Sequence, residues 1–585
     1  MLTCPSVEHR RKVLLHMSER KAFSVYSTWG LHDELGDTVE LSEALVRGAL
    51  GNLDRLREVA GLSFDYFHLD AFWFDPKLGY RHFKKPHWPN GFEPVADEIR
   101  KRGMTPGLWY STTGYRLKVE AWAGSLADDG VTYSLADGPY AKILLGDLLY
   151  AAEHWGVRFF KFDFSNFWVR AAGIKSSPLE THTANAQAFI EVCRQLKSAY
   201  PDSMIITHTG LWRGEGNGPL RLGEPFGWER ALLEVVDFGF SGDPQPMDVP
   251  QSALVRNLDL FQDYHVWKMH REGIPIRRIE DHGALMATTN TAGYRGRTGF
   301  RRTHLGQLAR GGRRDMFYGD LGLLTDEDAV GMVKARAVYF DAFNRNLETF
   351  ILADKGPGLD PWHGYVTGGA MRGLLYLVNP TSLVQRPMVT LPNILETRIL
   401  FHTGPNEPAM QSQPDELVVE LQPEQAALIG LGAYALELPF LGSEDDPAIP
   451  GPGRLLSGSF RQSGEGLVGE IESVDEGEIL EITVRVLNAK PHHYPGGDEF
   501  RFAVPALDSG AGSKTGALPI EILVETGEGP AERLSVIPEV PVWAGISWTT
   551  QRFRAAGPVR VTINQTIDPP RRLRCSARAL HSDAG

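Results

Sequence analysis

Two hydrophobic periods alternate along residues 21–350. Short apolar runs of strand length recur at "AFSVYSTW" (22–29), "FDYFHLDAFWF" (64–74), "MTPGLWYS" (104–111), "VRFFKFDF" (157–164), "SMIITHTG" (203–210) and "DFGFSGD" (237–243). Between them the apolar spacing is helical. Over 41–61 it puts Leu45, Ala49, Leu53, Leu56 and Ala60 on one face, and over 91–103 Phe92, Val95, Ala96 and Ile99, with Gly103 as the stop. Residues 139–156, 181–202 and 228–236 continue the helical series, and "GALMATTN" (283–290) and "RDMFYGDLG" (314–322) supply a seventh and an eighth strand. Eight strand–helix repeats predict a (β/α)8 TIM barrel over 21–350, preceded by an N-terminal arm, 1–20. A doubly wound sheet would carry a Gly-rich phosphate turn after its first strand, and "STWGLHDELGD" is not one.

Past residue 350 the period shortens to two. "GLLYLVNPT" and "DELVVELQPEQAALIGL" predict an antiparallel β-sandwich domain over 355–440. A linker rich in Pro, Gly and acids, "GSEDDPAIPGPGR" (442–454), leads to a second sandwich-like domain over 455–585. There Ile482, Val484 and Val486 share one face of a strand, as do Val559, Val561 and Ile563.

Composition narrows the function. With 585 residues, 42% of them hydrophobic, the chain can build more than one core. A net charge of −13 argues against nucleic acid or an anionic membrane as partner. Cys4, Cys193 and Cys575 lie too far apart for a disulfide framework or a Cys-rich zinc site. The first residues show no apolar signal segment, and no run of about 18 apolar residues exists, so a cytoplasmic soluble protein is expected. No His/Asp/Glu spacing suggests a metal, and no cofactor is called for. Homo-oligomerisation is left open.

In a barrel the active site lies at the C-terminal ends of the strands. Those ends carry Trp29, then Asp70 and Trp73, then Trp109 and Tyr110, then Lys161 and Asp163, then His208, then Asp243. Aromatic faces pack on the C–H faces of a sugar, carboxylates bind its hydroxyls, and two carboxylates flanking a glycosidic bond are the minimal hydrolytic machinery. Each residue also has a packing role open to it. Lys161 and Asp163 can form an ion pair, Asp243 can be a turn residue of "SGDPQP", the tryptophans and Tyr110 can be core, and His208 can be a hydrogen-bonded histidine.

Four of these segments, with a fifth, resemble the α-galactosidases (melibiases) of glycoside hydrolase families 27 and 36, which share a clan with family 31. "FHLDAFWF" resembles that family's "LDDGWF" segment. "HWPNGFEPVADEIRKRGMTPGLW" resembles its Pro-Asn-Gly segment, "FFKFDF" its Lys-x-Asp nucleophile strand, and "FSGDPQPMD" its acid/base turn. Residues 283–329, beginning "GALMATTNTAGYRGRTGF", resemble its closing barrel region. The resemblance implies a retaining, exo-acting α-glycosidase, foremost an α-galactosidase, whose partner is an oligosaccharide or glycoside.

By the same resemblance Asp163 is the nucleophile and Asp243 the general acid/base, with Asp248 as the alternative because the turn aligns loosely. Lys161 would bind hydroxyls and hold Asp163 ionised by depressing its pKa. Asp70 would bind hydroxyls at C4 or C6, Trp29 and Trp109 would line the sugar, and Ser165 would lie near the 2-hydroxyl. The carboxyl groups would stand about 5–5.5 Å apart. Ala71 replaces the family's second aspartate, which leaves the sugar open: α-N-acetylgalactosaminide, α-glucoside or a modified hexose are alternatives. A non-catalytic carbohydrate-binding barrel is the reading from another class.

Overall fold

The computed structural model describes residues 21–32, 39–207, 230–241, 247–248, 257–271, 273–286, 299–381, 383–394, 396–444, 453–487, 501–502, 520–526, 534, 543–544, 548–565 and 572–581. The chain divides into two compact units. One comprises Met1–Gly242, Glu272–Ala284 and Gly311–Glu348; the other comprises Asp243–Arg271, Leu285–Arg310 and Thr349–Gly585.

The expected barrel is present. Its strands are β1 (Phe23–Ser27), β2 (Tyr66–Leu69), β3 (Thr105–Ser111), β4 (Phe159–Asp163), β5 (Met204–Thr207), β6 (Phe238–Phe240), β7 (Ile279–Glu280), β8 (Ala284–Met286) and β9 (Arg314–Gly319). They neighbour one another in the order β7-β6-β5-β4-β3-β2-β1-β9-β8, with parallel pairing from β7 through to β9. Pieces of one run, β7 and β8, stand at opposite ends of that order, and this makes an eight-stranded ring. Arg314 of β9 spans the same join: it donates to the Ile279 carbonyl and, at 3.1 Å, to Asp281 Oδ1, with its guanidinium 4.8 Å from the Phe238 ring centre.

Local sequence explains the elements. All five residues of β1 are buried, as a parallel strand covered on both faces requires. Helices α1 (Glu43–Ala60), α2 (Glu93–Lys101), α3 (Tyr140–His154), α4 (Pro178–Ala199), α5 (Asn257–Arg271), α6 (Phe300–Ala309) and α7 (Asp326–Asn344) follow the strands. Ser42 caps α1 by accepting from the Leu45 N–H, and Gly61 ends it at φ 72°, a left-handed conformation that favours glycine. Capping boxes open α4 (Ser177 with Glu180) and α7 (Thr325 with Asp328). The α2 face is the expected one. In α1 the buried stripe is Val46, Ala49, Leu50, Leu53 and Leu56, so Leu45 and Ala60 sit at its margins.

Three elements depart from expectation. The second strand stops at Leu69, because the chain turns after Asp70 and Phe74–Asp75 pairs instead with Gly79–Phe83. Of the fifth expected helix the described residues form a 3-10 turn, Arg230–Glu234, and residues 228–229 lie outside the described residues. The seventh strand begins at Ile279, four residues before the expected start, and breaks at His282 and Gly283, both at positive φ. Residues 287–290 of that expectation lie outside the described residues.

The second unit contains the sandwiches. A six-stranded and a three-stranded sheet bury Leu375, Leu377, Ile429 and Leu431 against Leu417 and Val419. A four-stranded and a five-stranded sheet bury Val524, Val561 and Ile563 against Leu480, Ile482 and Val484. Val559 is in the same core, as expected; the Val486 side chain lies outside the described residues.

Removing the guanidinium at the barrel join takes from buried Asp281 the cation that Arg314 supplies at 3.1 Å. Arg314→Met is therefore expected to cost about 3–5 kcal/mol of stability, read as a lowered midpoint in urea denaturation. An unchanged midpoint would dismiss Arg314 as the staple of the seventh strand.

Candidate active site

The side chains of β4 alternate. Phe162 turns outward and meets Phe189 of α4 edge-on at 5.0 Å, while Phe159 meets the rings of Tyr66 and His68 at 5.4 and 5.2 Å. Lys161 and Asp163 follow Phe159 at steps of two, so they share its face.

Lys161 is buried, and its partner is Asp70: Nζ donates to Asp70 Oδ2 at 2.7 Å. Asp70 is also held by Ser27 Oγ, which donates to Oδ2 at 3.2 Å, and by the Ala71 N–H, which donates to Oδ1 at 2.9 Å. Burial pushes the Asp70 carboxyl up, but the Lys161 charge and the hydrogen bonds from Lys161 and Ala71 outweigh it and hold it well below the usual carboxylate range. His68, fully buried, is pushed down to about 3, chiefly by burial, and is neutral. Its Nδ1 lies 3.0 Å from Ser27 Oγ. Burial works against the Lys161 charge, yet Asp70, Asp163 and Glu280 together raise its pKa above the ordinary lysine value. The Lys161 ammonium also stands 5.3 Å from the centre of the Tyr318 ring.

Asp163 ends β4. Its Oδ1 accepts from the Phe164 N–H at 2.7 Å and its Oδ2 from Trp109 Nε1 at 3.4 Å. Loss of hydration raises its pKa above the usual 3.8, and Lys161, Phe164 and Trp109 only partly offset this. The expectation that Lys161 leaves Asp163 depressed is therefore corrected. Burial is the main cause and the Asp70 charge adds to it; Lys161, although hydrogen-bonded to Asp70, lowers Asp163 by less than burial raises it.

The other expected site residues divide. Trp29 is half-buried at the barrel mouth, edge-on to His282 at 4.6 Å and to Tyr318 at 6.1 Å. The Ser165 hydroxyl donates to Thr112 Oγ1 at 2.7 Å, one residue past Phe164. Trp73 turns away from this group. Fully buried, it stacks with Phe83 at 4.4 Å and donates its N–H to the Trp109 carbonyl at 2.8 Å, so the structure gives it a packing role. Tyr110 is buried in the same aromatic cluster, 5.7 Å from Trp73. His208 and Asp243 lie outside the described residues, and only the backbone of Asp248 is described.

Sequence reasoning missed three members of the group: Glu280, His282 and Tyr318. Glu280 contributes charge toward Lys161, and its Oε1 accepts from the His282 N–H at 2.8 Å. His282 stacks on Tyr318 at 4.3 Å. The signal was the charged triplet Glu280–Asp281–His282 directly after an isoleucine pair at 276 and 279, which marks a strand end bearing polar groups. Among the described residues no group of three or more His, Cys, Asp or Glu side chains is arranged to hold a metal ion. No described helix is long and apolar enough to cross a membrane.

No family model matches the chain, and no curated protein matches it by sequence. Solved structures do share its fold. A family 36 α-galactosidase from Geobacillus stearothermophilus, in complex with raffinose, superposes with a TM-score of 0.50 at 12% identity, covering 71% of this chain and 56% of that enzyme. This chain thus corresponds to little more than half of that enzyme's length. α-Galactosidase I from Mortierella vinacea gives 0.44 at 12% identity, covering 71% of this chain and 98% of that one. An α-galactosidase from Lactobacillus brevis gives 0.47 at 12% identity, covering 70% and 55%. The first of these shares the barrel fold; identity this low speaks to fold alone.

Lys161→Met would leave the Asp70 carboxylate buried beside an apolar chain, and a loss of about 3–5 kcal/mol is expected in urea denaturation at neutral pH. Adding Asp70→Leu should recover part of it, giving a positive coupling in the double-mutant cycle. Strictly additive losses would mean that the pair carries no mutual stabilisation.

Proposed function

We propose that the protein is a retaining, exo-acting α-glycosidase whose foremost substrates are terminal α-galactosides. The observation that carries the proposal is Asp163: a carboxylate at the last residue of the fourth barrel strand, clamped by Trp109 and Phe164 beside the buried Lys161–Asp70 pair. The fold shared with a family 36 α-galactosidase supports it.

In this reading an Asp163 carboxylate oxygen attacks the anomeric carbon. The bond from that carbon to the leaving oxygen breaks, and Asp243, or Asp248 in its place, gives that oxygen its proton. The ionised acid/base then takes a proton from water, whose oxygen displaces Asp163 and regenerates both carboxyls, with net retention. In this reading the Lys161 ammonium and the Asp70 carboxylate would bind sugar hydroxyls, and Trp29 and Trp109 would flank the ring. A raised pKa suits Asp163 in one respect, since a more basic carboxylate is a stronger nucleophile. The cost is that it must be ionised to react.

A sign follows for pH dependence. Because the Asp163 pKa lies above the usual 3.8, kcat/KM is expected to fall as pH drops through that raised value. Lys161→Met should move this acidic limb to still higher pH. A limb that stays in place would separate Lys161 from the titration of Asp163.

Asp163→Ala should lower kcat by at least about a thousandfold. Azide should restore turnover and yield the β-glycosyl azide, because azide then attacks from the face the carboxylate left. With the acid/base removed the azide product should be α, so applying the same chemistry to Asp243→Ala and Asp248→Ala assigns that role. Sugar binding by wild type and Asp163→Asn alike, with no turnover by either on any nitrophenyl α-glycoside, would instead favour the binding-protein reading.

A further inference from the structure

The sandwich half of the chain pairs with the backbone of Asp248, one of the two acid/base candidates. Within the second unit, Met247–Asp248 is a strand, and its partner is Arg501–Phe502, antiparallel, with Arg501 opposite Asp248 and Phe502 opposite Met247. Asp248 is itself one candidate, and Asp243 lies only five residues before it in sequence. The partner strand belongs to the far C-terminal region, which sequence leaves without a role.

A second anchor lies further along the same segment. Asp263, on α5, is buried, and its carboxylate is bonded within the second unit. Oδ1 accepts from Arg310 Nε at 2.7 Å and from the Tyr365 hydroxyl at 2.6 Å, and Oδ2 lies 3.0 Å from His363 Nε2. His363 and Tyr365 sit on a strand of the six-stranded sandwich sheet, His363–Gly369. Burial pushes the Asp263 carboxyl up, but Arg310, His363 and Tyr365 outweigh it and hold it well below the carboxylate range. The chain from Asp243 to Arg271 accordingly clusters with the sandwiches, not with the residues that precede it.

Resting on the glycosidase reading, we propose that Arg501–Phe502 is a positioning element for catalysis. Its backbone pairing holds Met247–Asp248 and the Asp263 bonds hold α5 further along the chain, so the C-terminal region contributes to proton delivery.

Adjacent residues of an antiparallel pair alternate between hydrogen-bonded and non-bonded positions, so one of the two amides donates across the pair. Arg501→Pro and Phe502→Pro, made separately in the full chain, therefore include one that removes that donor. Asp263→Asn releases the second anchor. Two measurements test the proposal. Hydrogen exchange of the peptide spanning 243–256 should quicken in one proline variant. Steady-state kcat/KM should then fall about tenfold or more on the methyl α-glycoside of whichever sugar wild type turns over, whose alkoxide needs a proton. On the matching glycosyl fluoride, whose leaving group needs none, it should fall far less. The basic limb of the pH profile should shift in parallel, and Asp263→Asn should show the same substrate split. Unchanged exchange in both proline variants overturns the pairing, and equal losses on the two substrates overturn the positioning role. Wild-type protein inactive on every α-glycoside would sink the glycosidase reading itself, whatever the exchange data say.

Discussion

The candidate site is organised around a buried ion pair. Lys161 and Asp70 meet at 2.7 Å with almost no exposure, in an interior where a charge alone would be costly. Such a pair repays its desolvation only when the remaining hydrogen-bonding capacity is filled. Here the Ser27 hydroxyl and the Ala71 N–H complete the Asp70 carboxylate. Neutral His68 stands behind Ser27, adding a polar contact without a competing cation. Four elements, β1, β2, β4 and the turn after β2, thereby converge on one carboxylate.

That convergence determines what Asp163 can be. A lysine two residues away along a strand suggests a simple partnership, but an ammonium committed at 2.7 Å to one carboxylate is shared poorly with a second. At Asp163 the Lys161 charge still lowers the pKa, and the Asp70 charge opposes it by less. Loss of hydration wins, and its pKa rises. The Trp109 and Phe164 donors hold the carboxylate in place without fully restoring its acidity. A carboxylate fixed in direction and more basic than usual suits attack on carbon better than a salt bridge.

How much of this was legible depends on the range of each interaction. The β1, α1 and α2 elements follow from local period and caps such as Ser42 and Gly61, and they were readable. So was the shared face of Lys161 and Asp163, a spacing of two. The partnership of Lys161 with Asp70 was not, because it joins residues 91 apart and depends on barrel closure. Trp73 was misplaced for a similar reason. An apolar run from 64 to 74 reads as one strand, and only the packing of Trp73 on Phe83 reveals that the chain has left the barrel wall. The seventh strand was obscured because its charged residues look like loop. Arg278 is in fact buried, donating to the Asp237 and Leu233 carbonyls, so the polarity is spent on backbone inside the fold.

The division of the chain shows why domain roles resist reading along the sequence. Residues 243–271 and 285–310 alternate with barrel strands in chain order, yet they cluster with the sandwiches. The cause is electrostatic as well as topological. Asp263 is satisfied by Arg310, His363 and Tyr365; the Arg301 and Arg302 N–H groups each donate to Glu444 at 2.9 Å; and Tyr376 donates to the Arg302 carbonyl at 3.1 Å. A buried Asp263 stripped of these partners would be a liability to its own helix, so α5 is committed to them once folded. Two helices that alternate with barrel strands in chain order, α5 and α6, thus find buried polar partners within the second unit, among residues that come later in the chain.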